Sequence, residues 1–257
     1  MLRTSATITA GVRLLALGAI ALGIVGLAWD DFALVWQPVP AGVPGRSLLA
    51  YLFAAALLVA GIATNLRRTA LAGSAALTVL FALVVVLMHG PRVLMHPGAL
   101  VAWSGLAEQL ALAGAAYIAW LLLRAPGPDV QSASLRYARC AFAGCLLVFG
   151  AVHFRYLAET AQMVPHWLPP GTRFWAAATG VAHIAAGLAI LSGVGARLAA
   201  VCLTIMFAGF GILVHAPLLL ADAHSQFNWT INAVNLALTG AAWVIADSLR
   251  APASRAA

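Results

Sequence analysis

The chain has 257 residues, of which 63% are hydrophobic and only 8% charged, and its mean hydropathy is +0.98. That composition argues against a soluble domain, which needs far more polar surface to stay dispersed. The net charge of +7 comes from arginine alone, with no lysine and no basic cluster larger than Arg67-Arg68, so it does not describe a nucleic-acid binder.

Apolar runs bounded by charges and prolines predict eight spans, at 11–29, 48–64, 70–89, 99–123, 137–153, 174–192, 198–219 and 229–248. The first follows Arg3 and Arg13 and resembles a signal peptide. No small-residue cleavage site precedes Asp30-Asp31, and the segment has a counterpart later in the chain, so it is expected to be a retained span. Between the first two spans of each half lies a proline-rich loop, expected to lie across the mouth of the bundle. Cys140, Cys145 and Cys202 fall in apolar stretches without metal-binding spacing and read as small packing residues.

Arginines set the orientation. Ten of them flank one side (Arg3, Arg13, Arg67, Arg68, Arg124, Arg136, Arg139, Arg197, Arg250 and Arg255), against Arg46, Arg92, Arg155 and Arg173 on the other. The positive-inside rule then places both termini in the cytoplasm. Trp29, Trp36, Trp103, Trp167, Trp175 and Trp229 gather at the opposite interface as an aromatic belt, with Trp120 and Trp243 toward the cytoplasmic face.

An internal repeat is legible in the letters. Val86-Leu87-Met88-His89-Gly90-Pro91 matches Ile212-Leu213-Val214-His215-Ala216-Pro217, and Trp103-Ser104 matches Trp229-Thr230, both at an offset of 126. Gly61 pairs with Gly187 and Gly114 with Gly240 at the same offset, as small residues that favour close helix packing. The expected fold is therefore an all-α integral membrane protein: eight transmembrane helices as two tandem four-helix bundles in a parallel repeat. The halves are residues 1–124 and 138–250, joined by a cytoplasmic linker at 125–137.

The second half carries Phe149-Gly150-Ala151-Val152-His153-Phe154, then Met163-Val164-Pro165 and Trp167-Leu168-Pro169, then Thr179 to Gly187, and finally Val214-His215-Ala216-Pro217. In these elements it resembles the DoxX-like family of small four-helix bacterial membrane proteins, with His183 where that family carries an acidic residue. The first half is the weaker match and has Trp29 where the second has His153. The resemblance implies a place in the bacterial cytoplasmic membrane and an association with redox complexes. It makes a quinone the cofactor to look for and a membrane oxidoreductase the expected partner.

Few polar side chains lie deep in the spans. Glu108 and His183 each sit about ten residues from the non-cytoplasmic end of a helix, near mid-membrane at about 1.5 Å per residue. A carboxylate there costs roughly 2.5–3.5 kcal/mol, so Glu108 is expected to face the bundle interior, protonated or paired. The two invite a proton-accepting or ligand-anchoring role, or a plain interhelical hydrogen bond. Gln109, its repeat partner Asn235, and Asn232 read as neutral interhelical glue. Thr179, one turn before His183, is placed to orient the imidazole.

His89, His96, His153, His166, His215 and His224 all fall at or beyond the non-cytoplasmic span ends. His89, His153 and His215 are candidate metal ligands, but no pair has the i, i+4 spacing of a helical metal site. The duplicated His-x-Pro reads instead as helix termination, with proline blocking continuation. No phosphate loop, dinucleotide fingerprint, zinc motif or nucleophile elbow is present. Three readings stay open: a redox-associated, quinone-linked subunit, a small-molecule carrier, and a non-catalytic assembly protein.

Overall fold

The computed structural model describes residues 8–124 and 132–250. Arg3, Arg255 and most of the expected linker lie outside these. The described residues are helical, without a strand, and eight helices are long and apolar enough to cross a membrane. These are α1 (Ala10–Trp29), α2 (Arg46–Asn65), α3 (Ala70–Met95), α4 (Leu100–Arg124), α5 (Ala133–Arg155), α7 (Thr172–Ser192), α8 (Ala196–Ala221) and α9 (Gln226–Ser248). A ninth, α6 (Leu157–Met163), is a short helix between α5 and α7. Large apolar side chains such as Val59, Leu94, Val194 and Leu220 point outward, as a bilayer solvent permits and water does not.

The helix ends follow local chemistry. Thr9, Ser132 and Ser225 cap α1, α5 and α9 by accepting from the amides of Val12, Leu135 and Asn228. The tight turn between α7 and α8 uses Gly193 and Gly195, both with positive φ (78° and 62°). Buried Arg139 donates from Nε to Ser248 Oγ at 3.0 Å and from its second nitrogen to the Ser248 carbonyl, satisfying the end of α9.

The helices neighbour one another in a ring. Within each half, α1 packs on α2, α2 on α3 and α3 on α4, while α5 packs on α7, α7 on α8 and α8 on α9. The halves meet through α1 against α9, α4 against α5, and α4 against α9, and the α1–α9 seam is the most extensive in the molecule. α1 meets α4 of its own half far less. Consistent with its central place, α9 is buried over 72% of its most apolar stretch, against 28% for α3 and α8.

Two helices run on where the sequence predicts an end. Pro91 and Pro217 do not stop α3 and α8, which continue to Met95 and Ala221. Each contains a π-helical stretch just before its proline, Val84–His89 in α3 and Gly211–His215 in α8. There the amides of Gly90 and Ala216 reach back five residues, to the carbonyls of Val85 and Gly211. The wider turn admits a proline, which has no N–H to give and whose ring would collide with a carbonyl in a regular α-turn.

His89 and His215 accordingly sit inside the helical body and are buried, at 2% and 8% exposed, rather than capping a helix end. Trp36 is buried too, at 6% exposed. It lies in a short 3-10 turn, Leu34–Trp36, where its carbonyl is 3.0 Å from His89 Nε2 and its ring 5.4 Å from that of Phe227. The indoles of Trp103, Trp175 and Trp229 donate to the carbonyls of Pro97, Pro169 and Ala223 at 2.8–2.9 Å. Of the cysteines, Cys145 is buried, whereas Cys140 and Cys202 are exposed.

Candidate functional site

A cavity of about 470 Å³ lies among α5, α7, α8, α9 and α4, covered at one end by residues of the Met163–Leu168 loop. It reaches inward as far as Leu238, twelve residues into α9, roughly half-way through a helix that rises about 1.5 Å per residue. Its walls are mostly apolar, with a few convergent polar groups, as in pockets that bury a small lipophilic ligand.

Glu108 and His183, singled out by depth alone, both line this cavity, Glu108 from α4 and His183 from α7. They face one chamber from helices of different halves. Glu108 has the Trp36 side chain as its polar neighbour, with the indole N–H as the donor available to it. Ser104 lines the cavity one turn earlier on α4.

His183 is almost wholly buried, at 1% exposed. Aromatic rings hold it on several sides: Phe149 at 5.7 Å, Phe207 at 5.6 Å, Phe210 at 6.3 Å and His153 at 4.9 Å between centroids. The two imidazoles are anchored alike. His183 Nδ1 lies 2.9 Å from the Thr179 carbonyl, and His153 Nδ1 lies 2.9 Å from the Phe149 carbonyl, each one turn back on its own helix. Thr179 thus orients the imidazole through its backbone. Its hydroxyl turns instead onto the carbonyls of Trp175 and Ala176, at 2.8 and 3.2 Å.

The helix packing that places these rings depends on missing side chains. A β-carbon on Gly180 would fall 2.9 Å from His153 Cβ, and one on Gly150 would fall 2.9 Å from the Gly180 carbonyl. α5 and α7 can bring the two histidines together only because glycine occupies both positions.

The other candidates separate. Asn235 lines the cavity and donates to the Phe207 carbonyl at 3.0 Å, where α8 approaches its π stretch. Asn232 donates to the carbonyls of His215 and Asn228, both at 2.8 Å, and ties α9 to the end of that stretch. Gln109 is buried on α4 but is not part of the lining. His215 lines the cavity, and its buried Nδ1 has no hydrogen-bond partner among the described residues. His89 lies apart, beneath the Trp36 turn. His96, His166 and His224 are exposed. Among the described residues, no three His, Cys, Asp or Glu side chains are gathered to hold a metal ion.

Sequence reasoning missed the aromatic cage and Trp36. Phe207 and Phe210 sit in an apolar run where nothing marks a cavity wall, and Trp36 reads as interfacial from its loop position.

A family model described as a domain of unknown function (DUF8561) matches residues 142–249, less than half of the chain. Those residues include most of α5 and all of α7 to α9, hence most of the cavity's walls, but neither Glu108 nor Trp36. No curated protein and no solved structure matches the chain.

Proposed function

We propose that this multi-pass protein binds a quinone-class ring in the α4–α9 cavity and serves as a redox-associated subunit of a bacterial inner-membrane complex, similar to DoxX-like proteins. The observation that carries this reading is the meeting of Glu108 and His183 in one apolar chamber. A membrane-soluble ring with polar substituents matches both the lining and the depth, whereas a hydrophilic solute would find few partners. An assembly protein needs no such chamber, and a carrier would need a polar path through it. A membrane oxidoreductase is the partner that a quinone site of this kind would serve.

The helix pairing supports a parallel repeat. The exchange of α1 with α5, α2 with α7, α3 with α8 and α4 with α9 maps each main seam of the ring onto another and α4–α9 onto itself, as an axis near the membrane normal would. The matching π stretches in α3 and α8, and the matching indole bonds of Trp103 and Trp229, support the same reading. Together with the arginine distribution it favours both termini in the cytoplasm.

The direct test is extraction of the purified protein and chromatography of the lipid fraction. The native protein should carry quinone at a substantial fraction of one per chain. Glu108→Gln and His183→Ala should each lower that occupancy severalfold while leaving the fold intact by circular dichroism. A native protein free of quinone, which also fails to take up added quinone, would overturn the reading.

A further inference from the structure

The cavity's histidines are hydrogen-bonded in a way that fixes what they can offer a ligand. A carbonyl oxygen can only accept, so the Nδ1 atoms of His153 and His183, each 2.9 Å from one, carry the hydrogen. In the neutral ring, which an apolar membrane interior favours, Nε2 is then left with a lone pair. Neither Nε2 has a hydrogen-bond partner among the described residues, and neither is among the buried polar atoms shut off without one. Both residues line the cavity, so these two lone pairs open onto it.

We infer that the site selects the hydroxyl-bearing, reduced form of its ligand, a quinol or related phenol, over the carbonyl-bearing quinone. This deepens the quinone-site reading and rests on it. A hydroxyl donates to Nε2, whereas a quinone carbonyl facing the same lone pair meets acceptor with acceptor and forms no bond. The Nδ1 bonds hold each ring against flipping to present an N–H, because that would break the bond to Phe149 or Thr179. The adjacent Phe149, Phe207 and Phe210 supply ring faces that suit either form equally, and Glu108 as an acid can both donate and accept, so the discrimination falls on His153 and His183, whose tautomers are fixed. Loss of one or two hydrogen bonds with a buried acceptor left unpaired corresponds to about tenfold weaker binding or more.

The test is equilibrium binding to the full-length protein in nanodiscs, read by quenching of tryptophan fluorescence. Trp36 and Trp175 line the cavity and provide the signal. The probes are decylubiquinol, kept reduced under anaerobic conditions, and decylubiquinone, which share the tail. The expected result is at least tenfold tighter binding of the quinol, with the preference reduced severalfold in His183→Gln, whose amide offers a donor and an acceptor, while His153 keeps its lone pair. His153→Gln provides the same test from α5 should the first variant fold poorly. Equal affinities, or tighter binding of decylubiquinone, in the native protein would overturn the selectivity and leave the quinone site standing. Failure of both probes to bind would overturn the selectivity and the site reading together.

Discussion

A β-carbon on Gly240 would lie 2.7 Å from the Leu14 carbonyl carbon and 2.8 Å from the Gly11 carbonyl oxygen. Both are backbone atoms of α1, which no side-chain rotation can move aside. Gly114, 126 residues earlier, faces α5 across a wider gap, where the nearest atom would be the Ala138 carbonyl at 3.8 Å. The same methyl group therefore has opposite consequences at the two positions. Gly240→Ala should destabilise the protein by about 2–3 kcal/mol through overpacking. Gly114→Ala should be neutral or slightly stabilising, since alanine is the better helix former by up to about 1 kcal/mol. Denaturation midpoints in detergent check both, and similar shifts for the pair would contradict the seam described. The two glycines are easily found in the sequence as a matched pair, but the difference between them is not. It depends on which helix each one faces, and letters at a fixed offset do not report that. His183 shows the same limit: its depth is legible, but the carbonyl that fixes its tautomer belongs to Thr179, where the sequence directs attention to the hydroxyl.

At the level of the helix, the eight spans were readable because long apolar runs without charges have few alternatives to crossing a bilayer. The duplicated His-x-Pro reads as helix termination, and the helices run through it, for an equally physical reason. A proline predicts a break only if the ladder stays α-helical, and here each helix widens into a π turn that accommodates the ring. Such a turn loosens the backbone ladder, and α9 supplies side-chain donors alongside it. Asn235 reaches the Phe207 carbonyl and Asn232 the His215 carbonyl, so the asparagines bind α9 to the bulged part of α8. Replacing Asn235 with leucine keeps the size and removes the donor. The expected loss is about 1 kcal/mol, the usual scale for an interhelical hydrogen bond in a membrane. Because Phe207 borders both His183 and the cavity, quinol affinity should fall together with the unfolding midpoint. A variant with native midpoint and native affinity would show that the bond does not shape the wall.

Across the whole molecule, the most extensive seam joins the halves rather than lying within one. α1 rests on α9 and α4 on α5, while α1 and α4 of the same half scarcely meet. A duplicated sequence suggests two self-contained bundles, because repetition is visible in letters and partner choice is not. The seams place the first helix of each half against the last helix of the other. They also explain how one site comes to draw on both halves of the chain. Glu108 enters the second-half cavity from α4, and Trp36 enters it from a loop of the first half, so the chamber is complete only when both halves are present. Dividing the chain between Arg124 and Ser132 tests this arrangement directly. Each half expressed alone should be degraded or aggregate, with its α1 or α5 left facing lipid along a surface built for another helix. Co-expressed halves should purify together and regain decylubiquinol binding. Reporter domains on the C-terminus of each half should both be active in the cytoplasm, as a parallel repeat requires. Two halves that are stable and monomeric on their own, or reporters on opposite sides of the membrane, would contradict the shared seam in the first case and the parallel repeat in the second.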